Sequence, residues 1–146
     1  TVPYKGAAPA ITDLMGGTID LMCDQTTNTT QQIKAGTIKA YAVTTPERLP
    51  LFPDLPTAAE SGFEAMQFGI WHGIYTPKGT APEINQRLSQ SLQKALADEG
   101  VAKAMADLGT APSSAQDATP EALKAKLEAE IARWKPVIEA AGVYAD

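Results

Sequence analysis

The first 45 residues alternate short apolar runs with short helical patterns that end on glycine, and this alternation restricts the possible folds more than any other feature. Thr1 to Tyr4 reads as extended chain. Pro9 then suits the first turn of a helix whose Ile11, Leu14 and Met15 fall at i, i+3 and i+4, with Gly16 and Gly17 marking its end. Ile19 to Cys23 is nearly all apolar, the pattern of a strand buried on both faces, which makes Cys23 an inert buried thiol. The polar stretch Gln25 to Gln32 leads through Ile33, Lys34 and Ala35 to Gly36, a helix with a glycine just past its end. Ile38 to Thr44 is the next strand. Strands and helices at this spacing predict βαβ units: an α/β fold on a mainly parallel sheet.

Pro46, Pro50, Pro53 and Pro56 follow, excluding regular helix and leaving a turn-rich connector that reads as the clearest boundary in the chain. Thr57 and Glu60 have capping-box spacing, opening a short helix that Gly62 ends. Met66 to Tyr75 is an aromatic strand. From residue 80 the pattern is helical. Thr80 and Glu83 form a second capping box before the stripe Ile84, Leu88, Leu92 and Leu96. Val101, Ala104, Met105 and Leu108 mark a helix ended by Gly109. Thr119 caps the last one, Pro120 begins it, and Leu123, Leu127, Ile131, Trp134 and Ile138 share a face. Both stripes are read as core. Pro136, inside this helix, is expected to kink or break it.

Composition removes several function classes. The chain has 146 residues, net charge −5, one Cys and one His. At this length roughly two-thirds of the unfolded surface can be buried, so no disulfide or metal is needed for a core. One Cys with one His cannot build a structural zinc site, and no other cofactor is indicated. Neither half is basic, so the electrostatic footprint of nucleic-acid binding is missing. No apolar run reaches membrane-spanning length. The chain opens on Thr1 in strand-like sequence, so it is expected to be a piece of a longer protein whose export signal is not in this chain.

The strongest chemical feature is the small-residue loop Gly6, Ala7, Ala8, Pro9 and Ala10, which follows Lys5 and runs from a strand into a helix. A helix N-terminus offers free amides and partial positive charge, and small residues let an anion such as a carboxylate or phosphate approach the backbone. A tight βα turn that only permits packing has the same sequence. The spacing fits no nucleotide-binding glycine motif. Asp24, Gln25 and Thr26 fall at the carboxyl end of a strand, where ligands collect in open α/β sheets, although Asp24 fits a structural role equally well. Asp20, at the other end of that strand, is read as a turn residue. Trp71, between Gly69 and Gly73, could wall a pocket or pack in a core. Asp24 with His72 is the one pair available for acid–base chemistry, and no nucleophile stands at a recognisable spacing.

Together, the segments Val2 to Ala10, Asp13 to Met22, Ile33 to Gly36, Ala42 to Thr44, Pro53 to Gly62, and Trp71, Gly73 and Tyr75 to Thr80 closely resemble the Bug family. These are the extracytoplasmic solute-binding receptors of tripartite tricarboxylate transporters. Ala97 and Asp98, Leu108 and Gly109, and Glu130 to Trp134 extend the match in order over nearly the whole chain. The resemblance implies a type II periplasmic-binding-protein-like fold, here partial, closing on a small organic carboxylate. Di- and tricarboxylates, acidic amino acids and aromatic acids all occur as ligands in the family. It also implies a periplasmic location, no enzymatic activity, and delivery of the ligand to membrane permease subunits.

Family chains are about twice this long, so the resemblance divides the chain into 1–60, the rest of a second lobe with its carboxylate-binding loop at Gly6 to Ala10, and 61–146, the returning strand and closing helices of a first lobe. Asp24, Gln25 and Trp71 complete the expected ligand contacts. Cys23 stands where the family has an aromatic residue, and the polar Asp24 to Asn28 loop replaces a more apolar one. A chain exposing an uncovered sheet edge would tend to self-associate. A ligand-sensing or protein-interaction module on the same fold is the alternative, and a small-carboxylate enzyme a more distant one.

Overall fold

The computed structural model describes residues 2–142. Five helices are present among them: α1 (Ala7–Met15), α2 (Thr26–Lys34), α3 (Pro82–Leu96), α4 (Glu99–Asp107) and α5 (Pro120–Ala141). All five lie where helices are expected, α2 from its polar run ending before Gly36 and the others from apolar spacing and caps, and Pro9 falls in the first turn of α1. Within the described residues, 2–72 with 102–111 make one compact unit and 73–101 with 112–142 a second. The proline-rich segment lies inside the first unit and makes tight turns, with the Phe52 amide donating to Leu49 O at 2.9 Å and that of Leu55 to Phe52 O at 3.1 Å.

In the first unit the buried side chains are small: Ala10, Ile11, Thr29, Thr30, Thr57 and Ala58. Each buried hydroxyl is hydrogen-bonded, as a low-dielectric interior requires. Thr29 Oγ1 donates to Gln25 O at 3.3 Å, Thr30 Oγ1 donates to Leu108 O at 3.0 Å, and Thr57 Oγ1 accepts the Glu60 amide at 3.1 Å. Thr26 Oγ1 also donates to Gly109 O at 3.1 Å, so α2 holds the end of α4 through two hydroxyls. Gly109 has φ 75° and closes α4 with its own amide on Ala106 O at 2.9 Å and that of Thr110 on Met105 O at 3.0 Å. This paired arrangement satisfies carbonyls the helix leaves over and needs a left-handed residue, hence glycine.

Where strands are expected, the chain runs without a paired ladder among the described residues. Val43 and Thr57 form an isolated parallel bridge, flanked by the Val43 amide on Pro56 O at 3.0 Å and the Ala58 amide on Val43 O at 2.7 Å. Thr44 and Phe68 exchange a second pair of bonds, both 2.9 Å. The 19–23 segment is corrected by this: Leu21 is 77% exposed and Cys23 is exposed, so neither lies in a strand buried on both faces. With no neighbouring strand beside it, an apolar run has nothing to bury against. Val2 to Tyr4 take no regular secondary structure, and Thr1 lies outside the described residues.

The Thr57 box forms as read, with the Thr57 amide on Glu60 Oε2 at 2.8 Å, but it closes one turn rather than a helix. The Thr80 box does not form. Pro82 takes the first position of α3, Ala81 becomes the N-cap, and the Thr80 hydroxyl turns back to Pro77 O at 2.8 Å. Thr119 caps α5 as expected, accepting the Ala122 amide at 3.2 Å. α5 continues unbroken past Pro136. The two stripes read as core are also corrected, since no residue of α3 or α5 is buried, and Ile84, Leu88, Ile131 and Ile138 stand exposed. Leu92, Leu96, Leu123, Leu127 and Trp134 are half-buried, while the outer positions of both stripes are left as surfaces that suit a covering partner.

Candidate functional site

The small-residue loop does deliver a helix N-terminus. Gly6 is the N-cap of α1 at φ 104°, ψ 172°, and no side chain caps the helix. An L-residue pays for that φ in backbone strain, and a glycine does not. Pro9 has no amide to offer, so the outward donors of the first turn are those of Ala7 and Ala8. With no acidic residue in this turn, nothing neutralises its partial positive charge. Ala10 and Ile11, at 6% exposure each, anchor the helix one step further on.

Ala7 and Ala8 line an open groove of about 460 Å³ whose α1 wall continues through Ile11, Thr12 and Met15 and whose α2 wall is Thr27, Asn28 and Gln32. One wall is mostly apolar and the other polar. Asp24 accepts from the Gln25 amide at 2.8 Å and from Asn28 Nδ2 at 3.1 and 3.3 Å, so its carboxylate orients Asn28 at the start of α2. Gln25 is the α2 N-cap. Thus the structure brings Ala7 and Ala8 together with Asn28, and with Asp24 through Asn28. Gly6, Pro9, Ala10, Gln25 and Trp71 do not line the groove. Trp71 is half-buried and His72 exposed.

Gln32 was not foreseen as a lining residue, although its i+4 spacing from Asn28 on a helix is a readable signal. Its Oε1 is closed off from solvent and has no hydrogen-bond partner among the described residues, at a cost of about 1–3 kcal/mol. Among the described residues no three His, Cys, Asp or Glu side chains are placed to hold a metal ion, and no helix is long and apolar enough to cross a membrane.

Residues 1–143 match the tripartite tricarboxylate transporter family receptor. The chain belongs to that receptor family. A UPF0065 protein of Agrobacterium vitis is 50% identical over 141 residues, covering 97% of this chain and 41% of its own length. The periplasmic binding protein BugD matches at TM-score 0.92 and 50% identity, over 100% of this chain and 48% of BugD. MatC from Rhodopseudomonas palustris, solved with bound malate, matches at TM-score 0.89 and 36% identity, over 94% of this chain and 47% of MatC. The fold of this receptor-family chain is therefore that of part of a periplasmic binding protein, α/β in class, and it spans less than half the length of these relatives.

Proposed function

We propose that the chain is the C-terminal portion of an extracytoplasmic receptor that captures a small organic carboxylate and presents it to the membrane permease subunits of a tripartite tricarboxylate-type transporter. The observation that carries this reading is the uncapped N-terminus of α1, with Ala7 and Ala8 on the wall of an open groove. Within the loop Gly6 to Ala10, the amides of Gly6, Ala7 and Ala8 bind one carboxylate. Asn28, held by Asp24, with Gln25 and Trp71 contacts the rest of the ligand. A net charge of −5 gives no long-range attraction for an anion, so the affinity resides in these local amides and dipoles. Family membership and the malate carried by MatC support the ligand class.

The receptor works in the periplasm and binds without turning its ligand over. A second carboxylate loop, on the portion of the relatives that this chain does not span, closes the cleft from the other side. Residues 1–60 complete one lobe and 61–146 belong to the other. The apolar stripes of α3 and α5 are covered in that longer protein. Native mass spectrometry of the full-length protein, followed by denaturing mass on the same sample, tests the reading. Loss of a small organic acid on denaturation supports it; a protein that retains nothing and takes up no added di- or tricarboxylate, acidic amino acid or aromatic acid overturns it.

A further inference from the structure

Little packing surrounds the turn into α1, yet binding through backbone amides needs it fixed. Lys5 and Gly6 of the loop are exposed, as are Ala8 and Pro9 in the first turn of α1. A Cβ at Gly6 would meet nothing within 4 Å, so no packing holds the positive-φ residue in place. Tyr4, immediately before the loop, donates its hydroxyl to Asp13 Oδ2 at 2.7 Å across nine residues. Asp13 lies in the last turn of α1, and its carbonyl accepts the Thr18 amide at 2.8 Å, so the backbone that carries this carboxylate is itself anchored. On the far side of the loop, Thr12 Oγ1 donates to Ala8 O at 3.1 Å.

We infer that Tyr4 is a positioning residue, whose bond to Asp13 ties the incoming chain to the body of α1 and so fixes the Ala7 and Ala8 amides for a carboxylate; this rests on the receptor reading above. The phenol is a rigid strut with two rotatable side-chain angles, and its acceptor is charged, which strengthens the bond. The bond also holds the Tyr4 hydroxyl pKa above its ordinary 10.0, with the hydrogen bond to Asp13 the largest cause.

Tyr4→Phe removes the hydroxyl and keeps the ring. In the ligand-free full-length protein, it is expected to lower the amide order parameters of Lys5 to Ala8 from the rigid range near 0.85 toward about 0.6, with an unchanged melting temperature. Malate affinity should fall roughly tenfold. Asp13→Asn, which keeps an acceptor oxygen, should retain most of the rigidity and affinity, while Asp13→Ala should behave like Tyr4→Phe. Unchanged order parameters in Tyr4→Phe overturn the inference, as does a loosened loop with unaltered malate affinity. Ala8→Asp separates the two readings: if wild type binds malate and Ala8→Asp abolishes it, the carboxylate site stands and Tyr4→Phe judges the strut alone. If wild type binds neither malate nor any other di- or tricarboxylate, acidic amino acid or aromatic acid, the carboxylate site fails and the positioning role falls with it; if another of these acids binds, that acid replaces malate in the comparison.

Discussion

One oxygen of Glu60, Oε2, accepts both Arg48 Nε at 2.9 Å and the Thr57 amide at 2.8 Å. Arg48 reaches the other oxygen at 3.1 Å and sends Nη1 to Pro53 O at 3.0 Å. A single carboxylate therefore joins the proline-rich segment to the capped turn beside the Val43 bridge. The Arg48 hydrogen bond, then the Thr57 amide, pull the Glu60 pKa from 4.5 down to about 2. A lowered folded-state pKa means that stability is present above the unfolded value and is lost as pH falls through the folded one. Urea midpoints of wild type and Glu60→Gln should differ at neutral pH and converge between about pH 4.5 and 2. The side chains are about half exposed, which keeps the difference modest and salt-sensitive. A gap that persists unchanged to pH 2 contradicts the assignment.

The contact between α2 and the end of α4 has no slack. A Cβ at Gly109 would lie 3.3 Å from Leu51 Cδ2, Thr26 Cβ and Thr30 Oγ1, in a residue already at φ 75°. Gly109→Ala should cost about 2 kcal/mol by chemical denaturation, from left-handed strain plus crowding. Thr30, 1% exposed, donates to Leu108 O. Thr30→Val keeps the shape and loses the bond, for about 1–2 kcal/mol.

Along α5, two changes of opposite sign are expected. Thr119→Ala removes the N-cap and should destabilise by about 1 kcal/mol. Pro136→Ala restores a helical amide at an exposed interior position and should stabilise by up to about 3 kcal/mol. Helical circular dichroism with thermal melts reads both.

Ile70, Ile74 and Tyr75 are 61–65% exposed, as are Ile84 and Leu88 of α3 and Ile131 and Ile138 of α5 to a lesser degree. In the 146-residue chain alone, these surfaces should bind an apolar dye and drive self-association in sedimentation velocity. The full-length protein should do neither. Equal dye binding by both would contradict the proposal that the longer protein covers these faces.

Helices were legible because their signals are local: the stripe, the cap at Thr119, and the glycines at Gly36 and Gly109. Strands were less so, because an apolar run such as Ile19 to Cys23 becomes a ladder only beside a partner strand, and no residue within the run specifies that partner. The same applies to Ile84 and Ile131, whose burial depends on what covers them. At the candidate site, the helix N-terminus at Gly6, Ala7 and Ala8 was readable from the small residues and Pro9. Asp24 fits a structural or a ligand-side role in the sequence, and its bond to Asn28 is compatible with both; the Tyr4 bond was invisible because its partner Asp13 lies nine residues away across a loop.

The most direct test of the carboxylate site is an amide-resolved titration of the full-length protein with malate and a panel of related di- and tricarboxylates. The account predicts that the Gly6, Ala7 and Ala8 amides shift together and saturate with the bulk binding curve of whichever acid binds. Saturable binding that leaves these three amides unmoved would contradict it.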